Sequence, residues 1–284
     1  MKTISLKFAF FILCVFFTFS CGTVRSNFIY PSGSISTRTF NNQDFSQIQA
    51  GNAFIVKLIP GDKESIYIEA DNNLMPYISV KQEKERLELG FNKEVKIKGN
   101  LRVVATVTYK TLNSLKAFGA TNIYMPLPLI TNNLTVTLSG ASSLEGSVVV
   151  SSLFKLSQEG ASSCKLDVEA KSIKAKLSGA SIISDGVWKV AVSGIIALSG
   201  ASSVNISGFI HKLELTANGA SQFKNQNLLT NITIATLSGA SNALLSVDNE
   251  LRVKASGASM LSYQGEPNIK DVSATGASSV SRKK

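Results

Sequence analysis

The feature that most constrains this chain is a dipeptide, Gly-Ala, usually framed as Ser-Gly-Ala-Ser, that returns nine times from Gly119 onward. Its glycines are Gly119, Gly140, Gly160, Gly179, Gly200, Gly219, Gly239, Gly257 and Gly276. The gaps between them are 21, 20, 19, 21, 19, 20, 18 and 19 residues. A unit this short cannot enclose a core alone, so each copy must be one coil of a stack that buries its apolar face against its neighbours.

Counting outward from each glycine, the positions two and four before it and four after it are apolar, as in Leu138, Val136 and Leu144 of the second copy. Gln158 is the one clear break in these columns. Three before the glycine stand polar or small residues such as Thr137, Ser157 and Lys176. This period of two marks strands with one buried and one wet face. Carried through the tetrapeptide, it predicts the glycine and the following serine on the inside and the alanine outside. Buried hydroxyls need partners. The column Thr121, Ser142, Ser162, Ser181, Ser202, Ser221, Ser241, Ser259 and Ser278 is therefore expected as an internal ladder, bonded along the stack or to turn carbonyls. Nine corners about 4.8 Å apart make a rod of roughly 40 Å.

Residues 40–110 lack the tetrapeptide yet still alternate, as in Phe54-x-Val56-x-Leu58 and Ile66-x-Ile68, with turn clusters at Pro60-Gly61-Asp62 and Asp71-Asn72-Asn73. They read as β structure that caps the front of the solenoid formed by 111–284. No stretch has a helical period. At the back, Arg282-Lys283-Lys284 puts charge on an edge where another strand could add.

Ahead of this, Lys2 and Lys7 precede an apolar run from Phe8 to Phe19 that ends at Ser20-Cys21-Gly22. The run is short for a spanning helix and fits a secretory leader over 1–20. The junction resembles a lipobox, which implies cleavage before Cys21 and a lipid anchor on it. Residues 21–39, rich in Ser, Thr and Asn, read as a tether. No acid follows Cys21 within it, which favours the outer membrane. With Cys14 lost and Cys21 lipidated, Cys164 is the only remaining thiol, and no disulfide is expected. The net charge of +10 is scattered rather than gathered with aromatics on one face, which argues against a nucleic-acid partner.

The front carries a specific resemblance. Phe45-x-x-Ile48, Gly51-x-x-Phe54-x-Val56-x-Leu58-x-Pro60-Gly61, Ile66-x-Ile68-x-Ala70-Asp71-x-Asn73-Leu74 and Leu87-x-Leu89, together with the Ser-Gly-Ala-Ser copies, resemble the auto-transporter adhesin, head GIN domain family of Bacteroidetes. The resemblance covers nearly all of the chain beyond residue 40. It implies a right-handed parallel β-helix, within an all-β fold class, and an adhesin-like role with no assigned catalytic residues.

Catalytic readings find little support in the residues. His211 is the sole histidine, no Gly-x-Ser-x-Gly occurs, and nine equivalent serines read as structure rather than as nucleophiles. Glu145, Asp167, Asp185 and Asp248 stand at different offsets from their glycines, so they are not expected to converge as a calcium-dependent lyase would need. Asp71-Asn72-Asn73 reads as a turn, Cys164 as a core thiol, and Trp188 as core rather than as a sugar platform. No metal or cofactor site is expected. Outward rows such as Thr135-x-Thr137, Lys155, Lys174-x-Lys176 and Arg252-x-Lys254 read first as a solvated face, with anionic glycans or a protein surface as the alternative. The expectation is a non-enzymatic envelope lipoprotein acting as an adhesin-like or scaffolding module. Its partners would be the membrane through Cys21 and a glycan or an envelope or host surface protein, with self-association left open. The competing expectation is a polysaccharide-active β-helix enzyme with an unrecognised site.

Overall fold

The computed structural model describes residues 28–92 and 95–283. The leader over 1–20 and Cys21 lie outside the described residues. Among the described residues the only helical element is a 3-10 turn at Met75–Tyr77.

Among the described residues nine strands precede the repeats: β1 (Phe28–Ile29), β2 (Ile35–Phe40), β3 (Gln47–Ala50), β4 (Phe54–Pro60), β5 (Ser65–Asp71), β6 (Ile78–Glu83), β7 (Arg86–Phe91), β8 (Lys96–Ile97) and β9 (Val103–Tyr109). Two coils come from this region. β3 and β4 make one, and β7 and β9 make the coil outside it, paired in parallel with β3 and β4. On its other side the β3–β4 coil receives the first repeat strands, β10 (Ser114–Ala117) and β11 (Asn122–Tyr124), again in parallel. The chain thus lays down the inner coil, travels out to build the end, and returns past it to begin the repeats. Among the described residues only β2, β5 and β6 take part in antiparallel pairing, β2 with β5, β5 with β9 and β6 with β7. The front segment, expected as a cap, is two more coils of the solenoid closed by three antiparallel strands.

The residues that carry the family resemblance are almost all core here. Phe45, Ile48, Phe54, Val56, Leu58, Ile66, Ile68, Ala70, Leu74, Leu87 and Leu89 are buried. Phe54 meets Phe91 edge to face at 5.5 Å between ring centroids. Each large apolar side chain withdrawn from water contributes about 1.5–3 kcal/mol, so this signature is one of packing and not of chemistry.

The expected tether, 21–39, needs correcting from residue 28 onward; 21–27 lie outside the described residues. β2 lies along β5 from Ile35 opposite Asp71 to Phe40 opposite Ile66. The segment before it is held by the Asp71-Asn72-Asn73 turn: Gly33 donates its N–H to Asp71 Oδ1 at 2.6 Å, and Asn73 Nδ2 donates to the Tyr30 carbonyl at 2.7 Å. No residue of β2 is fully buried, so it is held by backbone pairing and shows no apolar alternation.

From β12 (Leu129–Leu138) through β13 (Ser143–Gln158), β14 (Ser163–Leu177), β15 (Ile182–Leu198), β16 (Ser203–Ala217), β17 (Gln222–Leu237) and β18 (Asn242–Ala255), consecutive strands pair in parallel. Every register runs straight into the glycine corner, as in Leu138–Gln158–Leu177. The irregularities fall in two other places, after residues such as Cys164 and Ser184 and after residues such as Val150 and Val190. These two bends absorb the extra or missing residues of coils that differ in length. The corner never does. β19 (Met260–Gln264) lies on β18, and β20 (Asn268–Ala274) and β21 (Ser279–Arg282) form the last coil, with β21 on β19; Val272 there is 42 % exposed because no further coil covers it among the described residues.

Candidate functional site

Each corner glycine has φ between 72° and 75°, the left-handed region that a side chain disfavours. A Cβ on Gly200 would lie 2.6 Å from the carbonyl oxygen of Gly179 one coil below. The corners also pair along the stack, Ala201 N–H donating to Gly179 O at 2.8 Å. The expected inward glycine is a correction: Gly140 and Ala141 both face solvent, and only Ser142 turns in. A residue at positive φ redirects the chain, so strict alternation does not cross it.

The serine ladder does form. Ser142, Ser181, Ser202, Ser221, Ser241 and Ser259 are buried. Each donates to the carbonyl three residues earlier at 2.6–3.0 Å, as Ser202 does to Ser199. The main partner is thus the serine's own turn. Ser162 is the exception, 3.5 Å from the Ser181 hydroxyl. Sealed from solvent and already donating, these hydroxyls are not placed as nucleophiles.

The other reactive groups are also placed by packing. His211 is exposed beside Phe209, with 6.4 Å between ring centroids. Cys164 is fully buried, and burial pushes its thiol far above the ordinary range. Trp188 is fully buried and donates Nε1–H to the Leu166 carbonyl at 3.1 Å. Gln158 points into the core without any bulge; Nε2 donates to the Ile182 carbonyl at 3.3 Å, and Oε1 has no partner.

Three of the four acids depart from expectation, and Asp248 stays apart from them. Glu145, Asp167 and Asp185 line one shallow depression of about 280 Å³ with Tyr124, Ser147 and Lys165. Lys165 stands opposite Glu145 in the ladder, with 3.7 Å between Nζ and Oε1. Asp167 Oδ1 accepts the Val187 N–H at 2.8 Å. The three acids sit five, seven and six residues after their glycines, and two residues span only about 7 Å of strand. Stacked coils therefore bring them side by side. Asp185, at φ 54°, is pushed outward by its own bulge. No three such groups come close enough to hold a metal among the described residues.

This depression continues. A second, of about 200 Å³, shares Ser147 and Asp167 with it, and a third, of about 570 Å³, shares Val149, Glu169 and Lys189 with the second. Together they form an open trough from Tyr124 to Phe209, spanning four coil steps, roughly 19 Å along the rod. Tyr124, Val187 and Phe209 are each more than a third exposed along it. Exposed ring faces can stack on apolar ligand faces, and the carboxylates and lysines between them can bond hydroxyls. The missed signal was the small spread of offsets between bends; the aromatics at either end carry no periodic mark.

A family model described as "Putative auto-transporter adhesin, head GIN domain" matches residues 44–267. No curated protein matches. Among solved structures, a "putative adhesin" from Parabacteroides merdae is 18% identical, with a TM-score of 0.68, covering 90% of this chain and 99% of its own. A "putative lipid binding protein" from Parabacteroides distasonis is 16% identical, with a TM-score of 0.66, covering 91% and 100%. A "putative adhesin" from Parabacteroides distasonis is 18% identical, with a TM-score of 0.65, covering 90% and 100%. These likenesses establish the fold. The stacked corners, the buried front signature and the match over 44–267 agree, and the chain belongs to the auto-transporter adhesin, head GIN domain family.

Proposed function

We propose that the chain is a lipid-anchored envelope rod that binds an extended partner along its side and does not turn it over. The carrying observation is the division of labour within each coil. The potential nucleophiles Ser142, Ser202 and Cys164 are sealed inside, whereas the residues between corners vary and open into the trough. Two solved structures of the same fold are called adhesins, which supports this reading. Tyr124 and Phe209 at the ends, with acids and lysines between, suit a glycan chain better than a small enclosed ligand. The anchor is Cys21, behind the Lys2–Phe19 leader, and the described residues contain no helix long and apolar enough to cross a membrane.

The convergence of Glu145, Asp167 and Asp185 supports a second reading, polysaccharide cleavage in the same trough. A glycan array run beside a turnover assay separates the two. Binding without new reducing ends or unsaturated products is expected, and it should be lost in Tyr124→Ala/Phe209→Ala. Depolymerisation that disappears on replacing Asp167 or Glu145 would establish the enzyme. Surface labelling with and without permeabilisation of the outer membrane reports the leaflet.

A further inference from the structure

On the face just before the corners, three other strands pair charges of their own, and Lys116 and Lys254 stand there as single cations without an ion-pair partner among the described residues. Lys212 meets Glu214 at 2.7 Å and Arg252 meets Glu250 at 2.7 Å, each across two residues of one strand. β7 does the same with Arg86 and Glu88 at 2.8 Å. β14 breaks this habit, placing Lys174 and Lys176 two residues apart on the exposed side. The register then puts a third lysine, Lys155, directly beside Lys174 on the neighbouring coil. Like charges at such positions repel. None of the three has an ion-pair partner among the described residues.

We infer that Lys155, Lys174 and Lys176 form a binding site for an extended acidic polysaccharide. The ladder holds Lys155 and Lys174 about 4.8 Å apart at their backbones, and the strand holds Lys174 and Lys176 roughly 7 Å apart. That is a fixed row of positive charge on a rigid sheet, bordered by the hydroxyls of Thr135, Thr137 and Ser157 on the adjoining strands. The row lies on an open sheet face, so it suits a chain that brings a carboxylate or sulfate on successive sugars more than a single engulfed anion. The site is on a different face from the trough and does not depend on it.

The test titrates the full-length chain in detergent with polygalacturonate, uncharged dextran, inorganic phosphate and glycerophosphoglycerol, the water-soluble headgroup of phosphatidylglycerol. Polygalacturonate should bind and dextran should not, with affinity falling as salt rises. Lys155→Ala/Lys174→Ala/Lys176→Ala should weaken binding about tenfold or more and reduce the salt slope by on the order of two. Removing the same charge elsewhere, in Lys63→Ala/Lys224→Ala/Lys254→Ala, should leave affinity nearly unchanged. Lys174→Glu recreates the alternating pattern of β7, β16 and β18, so it should abolish binding while unfolding no earlier than wild type. Equal losses in the two triple variants would reduce the effect to net charge and overturn the site. Binding of glycerophosphoglycerol or phosphate without polygalacturonate would overturn it in favour of a headgroup. Loss of polygalacturonate binding in Tyr124→Ala/Phe209→Ala would move the ligand to the trough and overturn this site alone.

Discussion

The glycine corner and the two bends opposite it do the same geometric job by opposite means. At the corner, the repeated coils share three devices: a glycine near φ 73°, an alanine N–H bonded to the glycine carbonyl below, and, with Ser162 as the exception and Thr121 standing in at the first corner, a serine closing its own turn. At the bends each coil improvises. Asp185 takes a left-handed conformation, Gly146 and Gly208 take others, and Asn225 turns inward to bond the Val204 carbonyl of the preceding coil. The uniform side keeps the coils in register, and the irregular side is where the trough opens. A stack needs one invariant edge to hold register, and a binding surface needs positions free to vary.

The sharpest way to break the comparison is to insert one residue on each side. Between Ala201 and Ser202 it turns Ser202 out and drives Val204 toward solvent, because a one-residue slip reverses the faces of a strand. The expected outcome is a loss of several kcal/mol, on the order of the largest single-site effects, seen as an early or split thermal transition. Between Gln226 and Asn227 the same insertion falls where the ladder jumps from Asn225–Leu245 to Leu229–Ser246. It should change stability by less than about 1 kcal/mol, since lengthening a loop costs little.

Gly200→Ala tests the corner with one methyl group. The new Cβ meets the Gly179 oxygen at 2.6 Å, on a backbone at φ 72° that alanine resists. Left-handed strain and overpacking together predict a cost of about 2–4 kcal/mol by chemical denaturation. An unchanged midpoint would show that the corners slide apart more readily than their spacing implies.

The contrast also explains what could be foreseen from residues alone. The period, the apolar columns and the serine ladder are legible because they repeat: Leu138, Leu177 and Leu198 occupy one column for one reason. The outward glycine is not, since alternation is blind to a positive φ. The nesting of β3–β4 between β7–β9 and the repeats leaves no trace in Phe54-x-Val56-x-Leu58, which would alternate equally well in any order. β2 is invisible because it buries nothing fully. The trough escaped because it depends on which offsets the bends bring together.

Gln158 sharpens the comparison from within the regular side, as the one polar residue in a column whose neighbours are Leu138 and Leu177. Its Oε1 is buried without a partner and its Nε2 makes a single long bond at 3.3 Å. An unpaired buried polar atom costs about 1–3 kcal/mol. Replacement by leucine frees one carbonyl at Ile182 but removes that cost, so Gln158→Leu should stabilise by about 1 kcal/mol. Destabilisation would mean that the amide has a role the column does not reveal.

The smallest effect at neutral pH is at the front, where Tyr109 ends β9 with its hydroxyl buried and unpaired. Burial pushes its pKa up to about 12, against about 10 in an unfolded chain. Below pH 10 both states hold the proton, and this residue adds no pH dependence. Between pH 10 and 12 the unfolded state loses the proton first, so stability falls as pH rises, by at most about 1.4 kcal/mol per pH unit. Tyr109→Phe should therefore match wild type at neutral pH, or slightly exceed it, and pull ahead above pH 10. Parallel alkaline curves would mean that water reaches the ring once the antiparallel strands at the front loosen. That result would place the rod's weak point in its end cap rather than in its repeating corners.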